Sequence, residues 1–163
     1  MGRGERSGHL DPHNDMAAAL LAAGLLALLA AVTVTDLRHR LVPDRALAIG
    51  VLFGLALVVV DDPAGLLPRI AWGLAAGAFL LAAAVIRPDG MGLGDVKLAA
   101  VLGVYLGSGV AAALVVALAV GSLAGAVILA RRGWEARSRT IPFAPFLALG
   151  SVVALVSVSP PGG

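Results

Sequence analysis

The sequence predicts an all-α polytopic membrane protein: six transmembrane helices in one bundle, the fourth of them short. Three observations carry that expectation. Hydrophobic residues make up 60% of the 163 positions and charged residues 13%, with a mean hydropathy of +0.97, far outside the mix of a soluble domain. The apolar residues fall into runs of about 20, and at about 1.5 Å per residue such a run crosses a hydrocarbon core of about 30 Å. The segments between the runs are short, so no polar block is long enough to form a second folded domain.

Taken in order, residues 1–15 are polar, hold Gly2, Gly4, Gly8 and Pro12, and read as a mobile tail rather than a cleavable signal. His9 and His13 in it read as solvated rather than as metal ligands. The membrane-embedded core is 16–158, and 159–163 is an unstructured tail. The first helix covers 16–35 and ends in a charged segment through Asp44, where Pro43 suits the first turn of a second helix running to about residue 60. Asp61, Asp62, Pro63, Ala64 and Gly65 make a turn, and a third helix follows over about 66–86. Only about 12 residues separate Asp95 from Gly107, or about 18 Å of helix, so the fourth helix is a partial span. Gly107, Ser108 and Gly109 turn into a fifth helix over about 110–130. A basic loop then leads through Pro142, Phe143, Pro145 and Phe146, a helix start with interfacial aromatics, into a sixth helix ending near 158.

The connections after the first, third and fifth helices hold nine of the twelve basic residues: Arg38, Arg40, Arg45, Arg87, Lys97, Arg131, Arg132, Arg137 and Arg139. Those loops should face the cytoplasm, with both termini outside, leaving Arg69 as the exception. The high pI thus reflects membrane orientation, and no nucleic-acid partner is expected. Cysteine is absent, which removes disulfides, thiolate metal sites and a cysteine nucleophile. The pairs Gly50/Gly54, Gly73/Gly77, Gly103/Gly107 and Gly121/Gly125 have the spacing that lets membrane helices approach closely. They read as packing seams and allow a homodimer.

The chemistry centres on Gly90-Met91-Gly92-Leu93-Gly94-Asp95-Val96-Lys97. Ionisable groups are costly in such apolar surroundings, and glycine favours non-helical backbone, which a bilayer tolerates only where protein or a wet cavity satisfies it. The stretch should therefore line a wet pocket. Asp95 in a first helical turn is favoured as an anion by the helix dipole. From spacing alone, Asp36 reads first as a helix-end charge paired with Arg38 or Arg40. Its second reading places it beside Asp95, since both sit at cytoplasmic ends of membrane segments. Two close carboxylates cannot both ionise easily; sharing one proton, they supply a base for water and an acid for a carbonyl oxygen, with no metal needed. Lys97 either snorkels to the interface or tunes the site. Asp44 reads as a first-turn acid and Asp89 as a solvated one, while Asp61 and Asp62 lie on the wrong side. Neither a zinc-binding H-E-x-x-H nor a G-x-S-x-G elbow is present.

Asp36-Leu37-Arg38-His39-Arg40-Leu41-Val42-Pro43-Asp44 resembles the first motif of the type IV prepilin peptidases. The stretch from Gly90 to Leu98 resembles their second, the GxGD motif built here on Gly92, Gly94 and Asp95 with Lys97 two residues on. Ile141-Pro142-Phe143-Ala144-Pro145-Phe146-Leu147-Ala148-Leu149-Gly150 resembles the segment near the family's C-terminal end, with Ala144 where glycine is common. The resemblance covers about 16–158. It implies an intramembrane aspartic endopeptidase of the prokaryotic inner or plasma membrane that removes the positively charged leader from prepilins or pseudopilins at the cytoplasmic face. It also implies that Asp36 and Asp95 are the catalytic pair. Many members carry an N-terminal region with paired cysteines and N-methylate the new terminus using S-adenosylmethionine. This sequence resembles the short, catalytic-core form, so proteolysis needs no cofactor and S-adenosylmethionine enters only if methylation is retained.

The alternative from a different class is a small ion- or proton-coupled transporter using Asp36, Asp95 and Lys97; a glycine-rich scaffold without chemistry leaves the charged residues in the apolar sequence unexplained. The orientation is tested by reporter fusions: one at Gly133 should report the cytoplasm and one at Gly163 the outside, and the reverse at either overturns it.

Overall fold

The computed structural model describes residues 12–39, 43–86, 92–132 and 143–158. They form six α-helices: α1 (Pro12–His39), α2 (Asp44–Asp61), α3 (Leu66–Ile86), α4 (Leu93–Leu106), α5 (Gly109–Arg132) and α6 (Ala144–Val158), with one 3₁₀ turn, Pro63–Gly65, before α3. Residues 1–11 and 159–163, in the two expected tails, lie outside the described residues, as do Arg40, Asp89 and Pro142. Residues 12–15, expected in the mobile tail, are helical.

Three stretches are long and apolar enough to cross a membrane, Met16–Arg38, Pro63–Ile86 and Gly109–Arg131. The other helices are shorter or less apolar: α2 has 18 residues with Asp44, Arg45 and Asp61 at its ends, α6 has 15 and α4 has 14. Large apolar side chains stand exposed around the bundle, among them Ile49, Leu52, Val60, Leu67, Ile86 and Val156. Such a surface suits acyl chains and not water, and the chain is a membrane protein.

The short helix is the centre. α4 touches each of the other five helices, while α3 packs chiefly along α4, α5 along α6 and α1 along α2. Being surrounded, α4 buries most of its circumference: Asp95, Leu98, Ala99, Val101, Leu102, Gly103, Val104 and Tyr105. Its 14 residues rise only about 21 Å, and its last carbonyls have no partner within the helix. They are satisfied by two devices. Gly107, at φ +54°, donates its N–H to the Gly103 carbonyl at 2.9 Å, and Arg69 Nη1 donates to the carbonyls of Tyr105 at 2.8 Å and Val104 at 3.3 Å. A cation at a helix C-terminus also suits its dipole, which accounts for the arginine that stood outside the charge pattern. Tyr105 in turn donates its hydroxyl to the Gly50 carbonyl of α2 at 2.6 Å.

The glycine seams close the chain's own bundle. A Cβ on Gly73 would meet the Ala100 carbonyl oxygen at 2.5 Å, and one on Gly103 would run into the Gly73 backbone, so α3 and α4 cross backbone to backbone. Gly150 of α6 sits equally close to the Ala113 carbonyl of α5, and Gly50 and Gly54 of α2 accommodate Leu28 and the Tyr105 ring.

Gly103→Ala and Gly73→Ala should each destabilise the protein by about 1–3 kcal/mol through forced helix separation. Gly77→Ala, whose Cβ would meet the Ala100 Cβ at 3.1 Å, should cost less. Thermal unfolding in detergent checks the ranking.

Candidate active site

Asp36 is placed by the buried stripe of α1. Leu25, Leu28, Leu29 and Val32 face the core, and Asp36 follows Val32 by four residues, so continuing the helix turns it inward. The expected helix end at 35 is corrected here: α1 runs on to His39, and Asp36 is 7% exposed while Arg38 points outward. Burial of Asp36 with Arg38 turned outward argues against a pairing with Arg38, while Arg40 lies outside the described residues.

Asp95 heads the equivalent stripe of α4, followed by Leu98, Ala99, Leu102 and Tyr105, and is also 7% exposed. Gly92 is the N-cap residue of α4, in extended backbone, and its carbonyl accepts from the Asp95 N–H at 3.1 Å. Gly94 is helical, so of these two motif glycines only Gly92 lies outside regular structure; Gly90 and Met91 are outside the described residues. Gly92 does not need positive φ, and a Cβ there would meet Asp95 Oδ2 at an ordinary 3.4 Å.

The two carboxylates lie within electrostatic reach of each other at one end of the bundle. The amide of Gly92 faces the Asp95 carboxylate and the amide of Ala144, first residue of α6, faces that of Asp36. Asp36 Oδ2 and Asp95 Oδ1 are buried without a hydrogen-bond partner. No arginine or lysine pairs with either among the described residues. Unpartnered acids at this depth are costly and call for an explanation. Ser151, the other buried polar residue among the described residues, raises no such question, because its hydroxyl donates to the Leu147 carbonyl at 2.7 Å. Among the described residues no group of His, Asp and Glu is arranged to hold a metal ion.

Pro43 proves to be the N-cap of α2 rather than its first residue, with its carbonyl accepting from Ala46 and Leu47. Asp44 opens α2 and is not a lone first-turn acid: its Oδ1 lies 2.7 Å from Lys97 Nζ. Lys97 is therefore paired, which neither sequence reading of it foresaw. Asp62 caps the turn before α3 by accepting from the Gly65 N–H at 2.9 Å. Phe143 and Phe146 pack at 6.2 Å between ring centroids beside the start of α6. The contribution of Ala144 was hidden from sequence because a backbone amide carries no residue signature.

Residues 23–130 match the type IV leader peptidase family. The chain belongs to that family. It is similar to three proteins named prepilin leader peptidase/N-methyltransferase. The one from Bacillus subtilis strain 168 is 39% identical over 140 residues, covering 82% of this chain and 54% of that protein. The one from Aeromonas salmonicida strain A449 is 37% identical over 154 residues, with 83% and 49% covered. The one from Burkholderia pseudomallei strain 1026b is 33% identical over 152 residues, with 88% and 48% covered. The chain thus spans about half the length of the curated relatives it matches, and no solved structure matches it. Nothing in these similarities favours a transporter.

Proposed function

We propose that this chain is an intramembrane aspartic endopeptidase that removes the leader peptide from type IV prepilin or pseudopilin substrates, with Asp36 and Asp95 as its catalytic pair. The observation that carries the proposal is the pair of buried carboxylates, each with a bare oxygen, at one end of an apolar bundle. With one proton between them, the ionised acid takes a proton from water as its oxygen bonds to the scissile carbonyl carbon. The protonated acid gives its proton to the carbonyl oxygen. Collapse of the tetrahedral intermediate breaks the C–N bond, the amine leaves with the proton held by the first acid, and the second acid recovers its own. The amides of Gly92 and Ala144 orient the carboxylates throughout.

The clustering of basic residues near the ends of the first, third and fifth helices supports an orientation with this end of the bundle at the cytoplasmic face of a six-span protein in the inner or plasma membrane. The methyl transfer in the relatives' names is not carried over.

Asp36→Asn and Asp95→Asn keep shape but lose ionisation, so each should abolish leader cleavage of a co-expressed prepilin almost completely, with the double variant scarcely worse. Asp61→Asn, exposed at the far end of α2, should cleave normally. Near wild-type cleavage by folded Asp36→Asn would overturn the assignment.

A further inference from the structure

The Lys97–Asp44 pair lies two residues along α4 from Asp95 yet makes little sense as a stability device. Both partners are exposed, at 55% and 71%, and exposed pairs of this kind contribute little to folding. Lys97 is also poorly placed for its own helix, because a cation near the N-terminal end opposes the positive end of the α4 dipole. The dipole of α2, by contrast, welcomes Asp44 in its first turn. What the pair does is join two helix starts that have no side-chain cap of their own, at Gly92 and at Pro43.

Asp95 and Lys97 are two residues apart, so their side chains leave α4 about 200° apart. When Lys97 reaches out to α2, Asp95 is turned inward towards Asp36 on α1. An exposed contact on one face of the turn thereby sets the rotation of the acid on the other. A displacement near 1 Å of a reacting group costs about 100-fold in rate, so a contact of little worth to folding can have a large effect on catalysis.

We propose that Lys97 and Asp44 form a tether that fixes the rotation of the first turn of α4, making both positioning residues for the Asp36–Asp95 pair. The inference rests on the proteolytic reading above. Lys97→Met and Asp44→Asn should each lower kcat by about 10-fold or more with KM little changed. The double variant should be no worse than either single one, and melting temperatures should hardly move. A rise in KM with kcat kept would make the pair a substrate contact instead and overturn the tether, as would additive losses in the double variant.

Because the chain has no cysteine, the tether can also be rebuilt covalently. Asp44→Cys/Lys97→Cys should be slow as free thiols and should recover most wild-type kcat when bridged by a short bis-thiosulfonate, losing it again on reduction. Full activity without the bridge, or no recovery with it, refutes the tether. If wild-type protein cleaves no leader at all, the proteolytic reading fails, whereas the yield of the bridge still reports whether the two positions adjoin.

Discussion

Burying two carboxylates at one end of an apolar bundle, with no cation against either among the described residues, is the constraint on which the arrangement turns. Desolvation alone makes this costly, and each acid would be cheaper to hold as an apolar side chain of similar size. The chain offsets part of the cost with backbone. The amides of Gly92 and Ala144 face the acids from helix N-termini, the ends that favour negative charge. In the proposed mechanism, sharing a proton removes more of the cost, since a pair with one net charge is easier to bury than one with two.

Everything else that is unusual in the fold brings those acids to one place. A helix too short to span lies at the centre, where it touches five neighbours and carries Asp95 inward. Its far end needs Arg69 and a left-handed Gly107 to satisfy its carbonyls. Its approach to α3 needs glycine on both sides of the crossing. The short helix, the misplaced arginine and the glycine seams are consequences of one placement.

Much of this was legible in the sequence because the bilayer makes hydropathy and helix length speak clearly. The bounds of α3 and the shortness of α4 follow from residue counts, and Asp95 stands out as an acid where acids are costly. Asp36 was less legible. A charged segment follows it, and only the structure shows that α1 carries the stripe of Leu25, Leu28, Leu29 and Val32 one turn further. Pairings between distant residues were out of reach: Lys97 with Asp44, Arg69 with the end of α4, and Tyr105 with Gly50 each join different helices. No local pattern encodes them. Of the second motif's described glycines, Gly92 has the non-helical backbone expected of it, whereas Gly94 is plain helix.

The shared proton is the central physical claim, and the pH dependence of kcat/KM for leader cleavage tests it most directly. One proton held by two acids predicts a bell: activity falls on the acid side as the base is protonated and on the alkaline side as the shared proton is lost, with both limbs belonging to the pair. A single rising limb with a plateau through the alkaline range, the behaviour of one carboxylate acting alone, would contradict it.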